Sequence, residues 1–198
     1  MKPKKQKTRK RGSALSLQEL KRFLKVIADS PKHALMFILT LFYGLRVGET
    51  AQIKLSNINK AAREITITGL KNGRTQTYVI PPSIFKKLTA WLVERNRNEK
   101  VKTNPYLFPH RTKRNAAMTR IGIQYDFKMF CEKAKISKHS VHDLRHTCAM
   151  FQVEKGTDPV RLRNWLRQRY LSSTEKYFEE FEDRNHGKTV QKIFENLF

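Results

Sequence analysis

"SVHDLRHTCA", Ser140 to Ala149, places two histidines four residues apart, His142 and His146, with an acid directly after the first. On a helix that spacing puts both imidazoles on one face, the arrangement that holds zinc in H-E-x-x-H peptidases. Arg145 shares the face, and a guanidinium beside a cation held by two imidazoles is electrostatically unfavourable. Asp143 is one methylene shorter than the glutamate such a site needs, and no third-ligand pattern follows. No metal is expected here. A phosphate fits better, because guanidinium offers a planar fork to two phosphate oxygens and imidazole adds one more donor.

The composition points the same way. The 198 residues carry 41 Lys and Arg against 17 Asp and Glu, a net charge of +24. Self-repulsion of that size disfavours a compact state unless a polyanion offsets it, so nucleic acid is the expected partner and a membrane is not. The longest apolar run, Ala34 to Leu45, has twelve residues, too few to span a bilayer. The first residues are charged and polar, unlike a signal peptide. Cys131 and Cys148 form neither a zinc-type pair nor a secretory framework, which suits a reducing cytoplasm. Twelve phenylalanines and an apolar fraction of 39% provide for one folded core.

Outward from the His-Arg helix the chain divides into a tail and one domain. "MKPKKQKTRKRGS" has seven basic residues in its first eleven. Residues 1–15 are either a solvated tail or an arm that orders on a phosphate backbone through Lys4, Lys5, Lys7, Arg9, Lys10 and Arg11. Ser16 and Glu19 form a capping box for a helix whose inner side is Leu17, Leu20, Phe23, Leu24 and Ile27. The apolar run reads as a buried helix ending near Gly44, followed by a short helical piece to Leu55. "REITITGLKNGRTQTYVIP" then switches to period two around Asn72-Gly73, the signature of an antiparallel hairpin. Pro82 opens a helix with Ile84, Leu88, Trp91 and Leu92 inward. Glu94 to Asn104 reads as surface, "YLFP" as a short extended piece and "HRTKRNAAMT" as a basic loop. Further helices are expected over Arg120–Lys135, Val141–Lys155, Asp158–Leu166, Ser173–Glu180 and Lys188–Leu197. The fold class is mainly α with a small antiparallel β-hairpin or sheet (α+β).

Phosphate chemistry needs more than one arginine and one histidine. Arg46 follows the glycine that ends the buried helix, and Glu49, three residues on, is placed to orient it. Lys71 stands at the mouth of the hairpin turn, with Arg74 close behind. "STEKYFEE" puts Tyr177 on a short helix behind a second capping box, Ser172 to Glu175. In order and spacing, "YGLRVGETAQIKL", the hairpin lysine, "HDLRHTCA" followed by "KGTDPVRLRNWL", and the downstream tyrosine resemble the catalytic domain of the tyrosine recombinases, the phage-integrase family. The resemblance runs from about Ser16 to Phe181. The size, without a separate amino-terminal core-binding domain, is similar to the short fimbrial-switch invertases. Residues 182–198 form a last helix that either closes its own core or docks on a neighbouring protomer.

The resemblance implies site-specific DNA strand exchange that uses no metal, ATP or other cofactor. Tyr177 would attack a phosphodiester, leaving a 3′-phosphotyrosyl link and a free 5′-hydroxyl. Arg46 and Arg145 would clamp the non-bridging oxygens. His142 would donate to the same phosphate or accept the phenolic proton, and Lys71 would protonate the departing 5′-oxygen. A phenol with an ordinary pKa of about 10 needs such neighbours. His146 supports these groups or simply packs. Arg74, Lys113, Arg114, Lys138, Arg167 and Arg169 are candidates for DNA contacts, which position a duplex without reading it. The implied partners are double-stranded DNA with specific recombination sites, further copies of the chain as a dimer or tetramer on that DNA, and an accessory DNA-bending protein. One position departs. Relatives read L-G-H, or Trp for that His, nine residues before the tyrosine; here Arg167 replaces the glycine and Gln168 the histidine. Gln donates a hydrogen bond but relays no proton. Two other functions therefore stay open: a recombinase-derived module that holds DNA without cutting, and a type IB topoisomerase-like nicking-closing enzyme.

Overall fold

The computed structural model describes residues 13–70, 73–136 and 139–195, with side chains through Asp183. Helix α1, Leu17–Ile27, starts at the expected capping box: Ser16 Oγ accepts the Glu19 N–H at 3.3 Å and the Glu19 carboxylate accepts the Ser16 N–H at 2.9 Å. Leu20, Phe23 and Ile27 are buried, but Leu17 is 59% exposed. It sits at the first helical position, ahead of the packed stripe.

Helix α2, Pro31–Phe42, is the buried helix. The rings of Phe23, Phe37 and Phe127 meet with centroids 5.0 to 5.5 Å apart, joining α1, α2 and α5 (Arg120–Lys133). Burying each such ring contributes about 2 kcal/mol. His33 adds a polar tie, with Nδ1 2.6 Å from Ser30 Oγ and Nε2 2.9 Å from Asp126. After α2 the backbone turns at Gly44, φ +57°, where a Cβ would stand 2.4 Å from Leu166 Cδ2. Any other residue there meets both strain and a clash.

Helix α3, Val47–Ala51, and a 3-10 turn, Leu55–Asn57, lead into a three-stranded antiparallel sheet of β1 (Ile58–Asn59), β2 (Glu64–Ile67) and β3 (Gln76–Val79), in that order. Ile65 stands opposite Tyr78 and Ile67 opposite Gln76, the register that alternation around Asn72-Gly73 demands. Lys71 and Asn72 at the turn lie outside the described residues. Helix α4, Pro82–Arg97, buries Ile84, Leu88, Trp91 and Leu92 as expected.

The stretch after α4 departs from the surface expected of it. Arg95 and Asn104 are buried. The Arg95 guanidinium donates to the carbonyls of Lys102 (3.2 Å), Asn104 and Tyr106 (3.2 Å), and Asn104 Nδ2 donates to Ala116 O at 3.0 Å. The arginine thus satisfies a folded-back loop whose carbonyls have no strand partner, a role that leaves no trace in sequence spacing.

Helices α6 (Val141–Glu154), α7 (Pro159–Trp165) and α8 (Ser172–Glu195) complete the domain. The two helices expected over 173–180 and 188–197 are one. No proline interrupts 172–195, and the lone Gly187 costs a helix only about 1 kcal/mol. Ser172 is the first residue of α8 rather than a residue ahead of it, so the second capping box is not formed as expected. The last apolar residues, Leu197 and Phe198, lie outside the described residues, and the side chains of Val190, Ile193 and Phe194 are not described. Among the described residues no helix is long and apolar enough to cross a membrane.

Arg95→Ala removes the donor from three carbonyls at once. The expected loss is about 3 kcal/mol in urea denaturation, against less than about 0.5 kcal/mol for Arg97→Ala on the exposed side. Equal losses for the two would contradict a structural role for Arg95.

Candidate active site

Three arginines, far apart in sequence, meet on one carboxylate. Arg46 precedes α3 and donates from Nη1 to Glu49 Oε1 at 2.8 Å, while its backbone N–H donates to Oε2 at 2.8 Å. Arg145, mid-way along α6, holds Nη1 4.0 Å from Glu49 Oε2 and donates to the carbonyls of Gly44 (2.5 Å) and Leu166 (2.9 Å). Arg167, just beyond α7, donates from Nη2 to Glu49 Oε2 at 2.9 Å. The Gly44 carbonyl is free to accept because α2 stops there in the left-handed turn.

Burial dominates the electrostatics. By itself it raises the Glu49 carboxyl, but Arg167, the Arg46 N–H and Arg145 more than offset it and hold the acid below its ordinary value. Arg145 is 1% exposed, and burial, followed by the Arg46 charge, pushes it down to about 10, with Glu49 and Tyr177 acting in the opposite sense. Three positive groups around one buried carboxylate leave an excess of positive charge in a poorly solvated place. An anion that enters relieves that excess, and Arg46, with 36% of its side chain open to solvent, gives it a way in.

Arg145 is turned inward, onto the carbonyls of Gly44 and Leu166. His142 and His146 line a cleft of about 740 Å3 between α6 and α8, together with Glu175, Lys176, Glu179 and Glu180. His146 is buried, its Nε2 2.7 Å from Glu180 Oε2 and its ring edge-on to Tyr177 at 5.2 Å. His142 keeps more than a third of its surface open. Burial lowers the pKa of both; Arg145 and Lys176 lower His142 further, and the Glu180 carboxylate only partly restores His146. Asp143, the acid of the quoted stretch, accepts the Ser140 N–H at 2.8 Å and caps α6. Among the described residues no group of three or more His, Cys, Asp or Glu is arranged to hold a metal ion.

Tyr177 lies in the first turns of α8 and is 1% exposed, packed among Cys148, Met150, Leu162 and Leu166. It is nonetheless close enough to Arg145 to act on that group electrostatically. Gln168 is buried against the start of α8: Nε2 donates to Ser173 O at 3.4 Å, and Oε1 has no hydrogen-bond partner.

The remaining candidates separate by exposure. Arg74, Lys113, Arg114 and Arg169 are exposed; Arg74 also donates to Asn164 Oδ1 at 3.3 Å. Lys4, Lys5, Lys7, Arg9, Lys10, Arg11, Lys71 and Lys138 lie outside the described residues. Arg167 is corrected. It is 0% exposed and has no surface to offer a duplex, because its guanidinium is engaged with Glu49 and the end of α2. His139, next to Lys138, packs between Glu19 (3.4 Å) and Asp143 (3.5 Å).

Residues 13–184 match the sequence profile of the Phage integrase family. The chain belongs to that family. It is 30% identical over 166 residues to the tyrosine recombinase XerA of Pyrococcus furiosus, covering 83% of this chain and 56% of that protein. To XerA of Thermococcus kodakarensis it is 28% identical over 165 residues, covering 83% and 57%. The chain thus spans little more than half the length of these curated relatives. Among solved structures, XerA recombinase superposes with a TM-score of 0.73 at 22% identity, over 87% of this chain and 64% of that one. A post-cleavage complex of the XerH recombinase on a palindromic difH substrate gives 0.75 at 20%, over 91% and 53%. The mainly helical fold with its small antiparallel sheet is that of the tyrosine recombinases.

The depressed histidines predict how this phage-integrase domain responds to acid. His33, His142 and His146 all have folded pKa values below the ordinary 6.5, burial being the first cause. The unfolded chain therefore takes up protons that the folded chain refuses. Their contribution to stability is full above about pH 6.5 and falls as pH drops below it. Thermal unfolding in low salt should show a lower midpoint at pH 5.5 than at pH 7.5; an equal or higher midpoint contradicts the downward direction of these three histidines.

Proposed function

We propose that the chain is the catalytic part of a site-specific DNA recombinase that cuts and rejoins DNA through a 3′-phosphotyrosyl intermediate. The observation that carries this reading is the convergence of Arg46 and Arg145 on Glu49, with Tyr177 packed in the cluster of Leu166, whose carbonyl Arg145 holds. The two guanidinium groups bind the non-bridging oxygens of one phosphodiester and stabilise the charge that grows as phosphorus becomes five-coordinate. The Tyr177 oxygen forms the new bond to phosphorus as the bond to the 5′-oxygen breaks. The phenolic proton passes to His142, and Lys71 protonates the leaving oxygen. Attack by a 5′-hydroxyl of the partner strand runs the same steps in reverse and rejoins the DNA.

With Tyr177 1% exposed, attack requires α8 to shift once a duplex is in place. The acidic side chains Glu175, Glu179 and Glu180 in the cleft repel a phosphate backbone until it does. The net charge of +24 supports a duplex partner, with Arg74, Lys113, Arg114 and Arg169 on its backbone. The basic residues Lys4 to Arg11 contact the same duplex. The domain already includes Leu15, which is 2% exposed and donates its N–H to Thr147 Oγ1, and the later turns of α8 dock on a neighbouring protomer. The chain is monomeric when free and assembles as a dimer or tetramer on paired sites in the cytoplasm, on the nucleoid of a prokaryotic host or mobile element, with an accessory bending protein. The buried, uncharged Gln168, bound to Ser173 O, favours the second reading, a module that binds without cutting.

A nicked suicide duplex carrying the sequence that the protein selects from a random pool separates the two readings. A covalent adduct on a denaturing gel, lost in Tyr177→Phe and lowered about 100-fold in Arg145→Ala, is the expected result; chelator leaves it unchanged. Tight binding with no adduct under any condition establishes the module instead. Duplex affinity falls steeply with added salt.

A further inference from the structure

The residue in the glycine position, Arg167, reaches more of the site than any of the groups assigned to the chemistry. Its backbone is left-handed, φ +54°, the conformation a glycine adopts freely and an arginine does not. That strained residue is nonetheless wholly buried and tied to four elements. Nη1 donates to the Tyr43 carbonyl (3.2 Å) beyond the end of α2, to the Trp165 carbonyl of α7 (3.0 Å) and to the Tyr78 hydroxyl of β3. Nη2 donates to the Gly44 carbonyl (3.3 Å) and to Glu49 of α3 (2.9 Å). The guanidinium also lies 5.4 Å over the Tyr78 ring, and the Tyr78 hydroxyl in turn donates to the Trp165 carbonyl at 2.5 Å.

Three of these partners have a second duty. Glu49 and the Gly44 carbonyl also hold Arg145, and Glu49 holds Arg46. Tyr78 pairs with Ile65 across β2 and β3. We propose that Arg167 is a positioning residue of the cleavage site, fixing through Glu49 and Gly44 the spacing of Arg46 and Arg145 around one phosphate and tying β3 to them through Tyr78. The proposal rests on the cleavage chemistry argued above. Arg167 does not touch DNA, so its effect is on the chemical step alone. It also supplies a fixed cation one residue from Gln168, where the family pattern carries its histidine or tryptophan.

The test uses the full chain and the same nicked duplex, with Arg167→Gly, Arg167→Lys, Glu49→Gln and the R167G/E49Q double variant. Glycine enters the left-handed backbone without strain, so R167G removes the guanidinium and keeps the turn. Expected are a duplex Kd within about threefold of the parent and a single-turnover adduct rate lower by about 100-fold, the cost of misplacing reacting groups by about 1 Å. R167K, a cation without the planar fork, recovers only part of that rate. The double variant is no slower than the slower single one, because both act on the same contacts. A duplex with a neutral methylphosphonate at the scissile position needs less of the arginine clamp, so the R167G deficit shrinks on it; a general loss of structure would slow both substrates alike. Thermal melting reports folding, and if R167G does not fold, R167K carries the same comparison. A normal R167G rate beside an active parent overturns the role of Arg167 alone, as do a parallel loss of binding or an undiminished deficit on the methylphosphonate. A parent that binds but forms no adduct overturns the cleavage reading and this role together.

Discussion

The buried carboxylate of Glu49 is the point on which the site depends. Arginines 46, 145 and 167 each approach it, from the start of α3, the middle of α6 and the end of α7. In water one carboxylate would gain little from three such neighbours. In a place with no exposed side-chain surface on the acid, it fixes their positions and leaves a positive excess that the free protein does not neutralise at this carboxylate. A phosphodiester is the ligand that such an excess selects. The Gly44 turn belongs to the same device, since only a glycine brings that carbonyl within reach of Arg145 and Arg167 without a clash against Leu166.

A second constraint acts on Tyr177, the proposed nucleophile. Tyr177 packs in the cluster that joins α6, α7 and α8, edge-on to His146, whose Nε2 is held against Glu180. The helix that carries the tyrosine thus also carries the acids that line the cleft. Electrostatics and packing then favour the same closed arrangement of the free protein, which the proposed reaction requires a bound polyanion to disturb.

Much of this was legible in the residues before any coordinates. The Ser16–Glu19 box and the Arg46–Glu49 spacing are contacts three residues apart, and the strand alternation of 64–67 and 76–79 and the Pro82 helix start are patterns within one element or hairpin; all four appear in the structure. What spacing hides is long-range. Arg167 lies 118 residues from Glu49, and a lone arginine in a basic loop reads as surface until its partner is seen. Arg95 is hidden for the same reason, because its partners are backbone carbonyls, which every sequence contains. The continuity of α8 through residues 181–187 went unread because polar residues and a glycine resemble a loop when the apolar period fades. The one clue to Arg167 was its departure from the family pattern, and that departure marks the residue the structure uses most.

A crystal structure of the Tyr177→Phe variant on its nicked duplex tests the central claim most directly. One scissile phosphate should lie within about 3 Å of guanidinium nitrogens from both Arg46 and Arg145, with Arg167 still bound to Glu49. A phosphate held by only one of the two, or two different phosphates held by each, contradicts the account.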